Sequence, residues 1–188
     1  MKKIIAIFFS VHLALAAVAV AGNVQELRMS LDDTFRVEET KEWKVEVERI
    51  LTLRFADVKI TPKRGYDFSM MLYFKCDTKD LSQFDTPEKI ASSVRKSSEK
   101  YLSSTVEKKI SLQAIPVKGT YGFYTILTDA DVAGQATRSP GEFKYLTRGM
   151  VRLSKDSALG FSIMTNDIDS GEYRKLLNYV YSFVNQSK

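Results

Sequence analysis

SGEYRKLLNYVYSFV, residues 170–184, is the stretch that decides the fold class. Its apolar side chains recur every three or four residues, at Tyr173, Leu176, Leu177, Val180, Tyr181 and Val184. This spacing places them on one face of an amphipathic helix, and Ser170 has the side chain that caps such a helix at its start. A helix with one apolar face must bury that face against another layer, and the segments before it indicate a sheet.

Strand-like segments occupy much of the chain upstream of this helix. Six segments rich in β-branched and aromatic residues, bounded by turn residues, are predicted as strands: 58–61, 67–76, 110–117, 121–128, 142–153 and 159–165. Short turns join the segments in three pairs, 58–61 with 67–76, 110–117 with 121–128, and 142–153 with 159–165, which favours antiparallel hairpins. Residues 24–39 show no clear period. Residues 43–55 fit both a strand and a helix, and we favour a helix there.

The alternation of apolar residues that is typical of a strand is clearest in the segment that ends at the single cysteine of the chain. Alternate residues from Phe68 onward are apolar and fall on one strand face: Phe68, Met70, Leu72, Phe74 and Cys76. Cys76 is therefore expected to be a buried structural thiol rather than a nucleophile. With one cysteine, no disulfide can form within the chain.

A second helix is predicted in the middle of the sequence. Thr86 is a suitable N-cap and Pro87 suits the first helical position, so the helix should span residues 87–103. Ser97 and Ser98 interrupt its apolar stripe, which limits its packing. The predicted fold class is α+β: a curved antiparallel sheet of about six strands, covered by this middle helix and the C-terminal helix.

The first 21 residues have the features of a signal peptide. Lys2 and Lys3 precede an uncharged apolar run, and Ala19-Val20-Ala21 matches the small residues that signal peptidase requires. We expect cleavage after Ala21, one globular domain over residues 22–188, and a periplasmic or secreted location. No stable membrane insertion is expected after cleavage. Retention of the segment, giving an N-terminally anchored envelope protein, is the alternative.

The amino-acid composition of the mature chain limits the kinds of catalytic and binding site that it can form. His12 is the only histidine and leaves with the signal peptide, so no histidine-dependent triad is expected. The net charge falls from +5 to +3 when Lys2 and Lys3 are removed, too little and too scattered to indicate nucleic-acid binding. No cofactor and no metal are predicted. The run Asp129-Ala130-Asp131 opens like a calcium loop, but Ala133 and Pro140 occupy later ligand positions.

A polar loop is the most promising binding region. Residues 128–141, TDADVAGQATRSPG, join two predicted strands and are longer than most such connections, and long loops in compact domains are often functional. Asp129, Asp131 and Arg138 lie in this loop, and Tyr145 and Arg148 lie on the strand after it. These five residues are the candidates for contact with a protein or a small ligand, whose identity is unknown.

The arrangement of elements over residues 58–185 resembles the PsbP-like fold. The shared features are a strand hairpin, a helix that starts at Thr86-Pro87, the strand that contains Gly160-Phe161-Ser162, and a final helix that closes with Tyr181-Ser182-Phe183. The resemblance implies a noncatalytic accessory or assembly role, and some members of that group bind metal ions. Fold by itself does not carry function.

We therefore expect an exported, noncatalytic binding or accessory protein of the cell envelope. The alternative is a periplasmic hydrolase that uses paired carboxylates or a serine-lysine pair. Two S-x-x-K spacings exist, Ser93 with Lys96 and Ser97 with Lys100, but both fall inside the predicted helix and lack the companion motifs of such enzymes.

The signal peptide makes a direct prediction about the exported protein. Intact-mass spectrometry of material recovered from the periplasm or the medium should give a chain that begins at Gly22, because the peptidase cuts after Ala21. Material that still carries Met1 to Ala21 would instead support the anchored form.

Overall fold

The computed structural model describes residues 24–29, 34–50, 55–76, 84–155 and 157–186. The predicted signal peptide and its cleavage site lie outside these residues. The described part is an α+β structure with a large antiparallel sheet and two α-helices, as the sequence predicts for the fold class.

The elements follow one another in a simple order. The strands are β1 Val24–Arg28, β2 Thr34–Glu38, β3 Trp43–Ile50, β4 Phe55–Pro62, β5 Phe68–Cys76, β6 Gln113–Ala114, β7 Gly122–Thr128, β8 Tyr145–Arg152 and β9 Ser157–Thr165, and the helices are α1 Pro87–Glu99 and α2 Gly171–Ser182. Short 3₁₀ turns follow the helices at Leu102–Ser104 and Phe183–Asn185. Seven strands form one sheet in the order β3-β4-β5-β9-β8-β7-β6, and β1 pairs with β2 as a separate hairpin.

Strand β5 is an interior strand of the large sheet. It pairs with β4 on one side and β9 on the other, so that Met70 stands between Ile60 and Ile163. Every alternate residue from Phe68 to Cys76 is buried, which confirms the period of two read from the sequence. Cys76 itself is 2% exposed, as expected for a structural thiol.

Helix α2 and the β1–β2 hairpin cover one face of the sheet. Ser170 caps α2 by accepting a hydrogen bond from the Tyr173 amide at 3.0 Å, as predicted. Tyr173 is buried and its hydroxyl is 2.8 Å from that of Thr147; burial raises the pKa of Tyr173 to about 12. The Glu38 amide donates to the Tyr179 hydroxyl at 3.0 Å and ties the hairpin to α2.

Helix α1 covers only part of the opposite face, over β7 and β8. Thr86 accepts a hydrogen bond from the Lys89 amide at 3.3 Å and Pro87 opens the helix, as predicted. The helix ends at Glu99, four residues before the predicted end, and a 3₁₀ turn follows. No described element covers the β3–β5 part of this face, where Lys59 and Tyr73 stay exposed.

Three expectations about the strands were wrong. The sheet has seven strands plus a separate two-stranded hairpin among the described residues, rather than about six. Residues 43–50 form strand β3 instead of a helix. Their spacing fits both a strand and a helix, and backbone pairing with β4 decides for the strand, which buries Trp43 and Val45 on one face. In the predicted strand 110–117 only Gln113–Ala114 is a strand, and Pro116 lacks the amide needed to extend the ladder.

Two glycines in neighbouring strands allow a matched test of the packing. A Cβ at Gly149 would overlap the buried Phe161 ring and lie 2.7 Å from the Tyr124 Cβ, whereas a Cβ at Gly160 would approach nothing closer than 3.6 Å. We expect Gly149→Ala to lower the free energy of unfolding by about 1–3 kcal/mol. Gly160→Ala should leave it nearly unchanged, and urea unfolding followed by circular dichroism measures both. Equal losses in the two variants would contradict this packing.

Candidate functional site

Charged and polar side chains line two cavities at one end of the large sheet. Because all neighbouring strands are antiparallel, Phe68 at the start of β5 pairs with Thr165 at the end of β9, and Thr165 pairs with Tyr145 at the start of β8. Trp43 and Pro62 meet at the same end of β3 and β4. We call this region the sheet end, and two cavities open there.

The first cavity, here the end cavity, has a volume of about 660 Å³. Its aromatic floor consists of Trp43 and Phe68, which are 6% and 2% exposed. Charged side chains of both signs surround this floor: Lys41, Glu42, Lys63, Arg64, Asp67, Asp167 and Glu172. Three separate parts of the chain supply them: the residues just before β3, the β4–β5 turn, and the β9–α2 connection together with the first turn of α2.

Hydrogen bonds and ion pairs hold three of the four carboxylates of the end cavity in place. Trp43 Nε1 donates to Glu172 Oε1, and Lys175 Nζ lies 3.0 Å from Glu42 Oε2 and 3.4 Å from Glu172 Oε2. The hydrogen bond to Glu42, followed by the charge of Glu172, raises the pKa of Lys175. Asp167 Oδ1 accepts from the Asp169 amide at 2.8 Å. Since donors already occupy these carboxylates, the arrangement suits ligand contact better than proton transfer.

The second cavity, here the loop cavity, has a volume of about 470 Å³ and lies beside the predicted polar loop. Three of the five residues proposed from the sequence line it: Asp129, Asp131 and Tyr145. The Glu107 carboxylate fixes the start of the loop by accepting from the Thr128 amide at 2.7 Å and the Thr128 hydroxyl at 2.8 Å. The loop is therefore anchored to the segment that follows α1.

Asp129 has a structural role within the loop. Its Oδ1 accepts from the amides of Asp131 at 2.9 Å and Val132 at 3.3 Å, which is a side-chain cap on a tight turn. Asp131 is exposed and Tyr145 is half-buried, with Lys144 Nζ 5.1 Å from the centre of its ring. Across the described ranges, no three histidine, cysteine or acidic side chains come together as metal ligands would.

The other two proposed residues lie elsewhere. Arg148 is on the α1 side of β8, where its Nη1 donates to the Tyr101 hydroxyl at 3.1 Å and its guanidinium lies 5.2 Å from the centre of the Tyr101 ring. Tyr101 also lines the loop cavity and so connects the two places. Arg138 is half-buried in the loop, with its Nε buried and without a hydrogen-bond partner.

Asn166 joins the two cavities of the sheet end. Its Oδ1 accepts from the Lys144 amide at 2.9 Å and its Nδ2 donates to the Glu142 carbonyl at 3.2 Å. Asn166 lines the end cavity and Glu142 lines the loop cavity. The sheet end is thus one continuous polar surface with two depressions.

Sequence reasoning missed the end cavity entirely. Its residues come from segments more than 100 positions apart, as Trp43 and Glu172 show, so no local spacing could reveal them. The available signals were weak: the only tryptophan of the chain, and the charged turn that contains Lys63 and Arg64.

Comparison with known proteins gives no further assignment. No family model, no curated protein and no solved structure matches the chain. No helix in the described part of the chain has both the length and the apolar character needed to cross a bilayer. The functional interpretation therefore rests on the side chains of the sheet end.

The contact between Trp43 and Glu172 gives a prediction for the end cavity. Glu172→Leu leaves the buried indole N–H without an acceptor, so the free energy of unfolding should fall by about 1–3 kcal/mol and the fluorescence maximum of this sole tryptophan should shift. Glu172→Gln retains an amide oxygen and is the matched control, with a smaller loss. Identical urea-unfolding midpoints and emission spectra for both variants would show that the contact is unimportant.

Proposed function

We propose that this protein is an exported, noncatalytic binding or accessory protein of the cell envelope that holds a segment of another protein at the sheet end. The observation that carries the proposal is the continuity of the two cavities through Asn166. Charges of both signs surround the aromatic floor of Trp43 and Phe68. A polypeptide segment offers matching charged, polar and apolar groups, since binding sites combine an apolar surface with a few placed polar groups.

The contacts of the acidic side chains favour binding over catalysis. A carboxylate pair that works as acid and base needs two groups in contrasting environments near a shared substrate. In the end cavity, Glu42 and Glu172 instead share the ammonium of Lys175. A hydrolase based on paired carboxylates therefore has less support than a binding protein.

The serine-lysine alternative also has little support. The Ser97 hydroxyl donates to the Val94 carbonyl within α1 at 3.1 Å. The Lys100 ammonium lies 5.0 Å from the centre of the Tyr101 ring. A nucleophilic serine needs its hydroxyl directed at a base, and neither side chain of this pair is arranged that way.

The proposed location rests on the signal-peptide features of residues 1–21, and the accessory role agrees with the PsbP-like resemblance. They are compatible with a chain that needs no disulfide for its core, since its one cysteine is buried on β5.

Site-specific photocrosslinking tests the proposal in cells that export the full chain. A photoreactive residue replaces Lys41 at the end cavity or Asp131 at the loop cavity, both exposed. Lys118, exposed in the β6–β7 connection at the opposite end of the sheet, is the matched control position. We expect the same protein adduct from the first two positions and none from Lys118.

Two outcomes would contradict the proposal. Adducts of equal yield at all three positions would indicate nonspecific contact, and the absence of adducts at Lys41 and Asp131 would remove the sheet end as a docking surface. Export and folding of each variant are checked by its yield and circular dichroism spectrum.

A further inference from the structure

Strand β3 is a long open edge of the large sheet. In the seven-stranded order the two edge strands are β3 and β6, and β3 pairs with β4 alone among the described strands. Strand β6 has two residues, whereas β3 has eight. A long edge strand presents unpaired backbone groups to which another strand can add. Of the two edges, β3 is therefore the one that offers a template for pairing.

The register of β3 identifies which of its backbone groups point outward. The Lys63 amide donates to the Glu42 carbonyl at 2.8 Å, and this contact extends the β3–β4 register by one pair. Hydrogen-bonded and non-hydrogen-bonded pairs alternate along an antiparallel ladder. Val45 and Val47 are an odd number of positions from Glu42, so their amides and carbonyls point away from β4.

The Trp43 amide agrees with this assignment. It donates to the Thr40 hydroxyl at 3.0 Å, outside the β3–β4 ladder. The side chains of Val45 and Val47 lie on the α2 face, where Val45 is 6% exposed and Val47 is half-buried. An added strand would therefore extend a sheet whose apolar face is already formed.

Two opposite charges alternate with these valines on the other face of β3. Lys44 and Glu46 are exposed, and their side chains form an ion pair of 2.6 Å. Charges on an edge strand often prevent pairing with a copy of the same chain, and charges of one sign would do so here. A lysine and a glutamate two positions apart instead allow a copy to pair in one register.

Charge complementarity selects that register. With Val45 opposite Val45 of an antiparallel copy, Lys44 of each chain faces Glu46 of the other, at non-hydrogen-bonded positions where side chains approach closely. The smallest shift that keeps outward backbone groups opposite each other is two residues. In one direction it brings Glu46 opposite Glu46, and in the other Lys44 opposite Lys44, so both neighbouring registers place like charges together.

The strand of the copy would continue past the start of β3. An open depression of about 430 Å³ adjoins this point, lined by Thr40, Lys41, Glu42, Trp43, Lys175 and Asn178. Beyond the valines and their neighbours, Glu48 of the copy comes opposite Glu42. The Lys175 ammonium lies 3.0 Å from the Glu42 carboxylate and already balances its charge.

We propose that β3 pairs with β3 of a second copy of the protein, antiparallel and with Val45 opposite Val45, to form a symmetric dimer. The Val45 amides and carbonyls bond to each other, and the Val47 amide of each copy donates to the Trp43 carbonyl of the other, about four backbone hydrogen bonds in all. Lys44 and Glu46 of the two copies form a ring of alternating charge. A two-fold contact uses the same surface on both copies and ends at two chains. The dimer is independent of the function proposed for the sheet end.

Analytical ultracentrifugation of the folded wild-type protein tests the dimer. The contact is small, so we expect reversible association with a dissociation constant between about 10 μM and 1 mM. Lys44→Glu and Glu46→Lys each put like charges at both contacts and should weaken dimerisation by about tenfold or more. Lys118→Glu makes the same charge change in the exposed β6–β7 connection, and this matched control should alter dimerisation less than about twofold.

Mixing the two variants tests the charge pairing itself. A Lys44→Glu chain carries two acidic residues at these positions and a Glu46→Lys chain two basic ones. Heterodimers in the mixture should therefore be about tenfold or more tighter than the homodimer of either variant. The double variant with Lys44→Glu and Glu46→Lys restores opposite charges and should dimerise like the wild type. Circular dichroism checks the folding of each variant.

Disulfide formation then fixes the register. Residues at opposite non-hydrogen-bonded positions have Cα atoms about 4.5 Å apart, which is within reach of a disulfide. Lys44→Cys mixed with Glu46→Cys should oxidise to a covalent heterodimer in higher yield than either variant alone. The native Cys76 is 2% exposed and does not compete.

The proposal is overturned if the wild type remains monomeric at about 1 mM, if Lys44→Glu dimerises like the wild type, or if the mixed variants associate no more tightly than each does alone. Pairing of β3 with a different protein instead of a second copy would leave the purified chain monomeric and also overturns it. None of these outcomes removes the crosslinks to another protein expected from Lys41 and Asp131, and the mass of an adduct distinguishes a second copy from another protein. The two proposals therefore fail separately.

Discussion

The burial of Phe74 in the interior strand β5 is the contact on which the other layers depend. Its ring lies 5.0 Å from that of Phe35 in the β1–β2 hairpin and 5.1 Å from that of Phe183, just after α2. With a single cysteine, the chain has no internal disulfide to join these elements. Hydrophobic burial must therefore hold the hairpin, the helix and the sheet together, and aromatic rings supply much of the buried area.

The same aromatic contacts extend to the sheet end. The Phe183 ring lies 5.1 Å from that of Tyr179, and the Tyr179 ring lies 5.5 Å from that of Trp43. Trp43 then forms the floor of the end cavity and donates to Glu172. The position of this floor is consequently set by the core, which gives the cavity a rigid base even though charged side chains form its rim.

The sequence predicted correctly those features that are determined by residues close to one another in the chain. The caps at Thr86 and Ser170 and the alternation along β5 fall in this group. Strand β3 was not predicted, because its residues fit the spacing of a strand and of a helix equally. Only its pairing with β4 decides between the two. The candidate sites differ in the same way: the loop that carries Asp129 could be recognised in the sequence, whereas the end cavity is formed by contacts between distant segments.

Strand β8 carries polar side chains on both of its faces, and their hydrogen bonding differs between the two. Thr147 and Arg148 are adjacent and point to opposite faces. On the α2 face, the Thr147 hydroxyl is paired with Tyr173, whereas on the α1 face Thr125 and Ser162 flank Arg148 without partners. Valine or alanine would fill these strand positions without an unpaired polar group, so the hydroxyls carry a cost in stability.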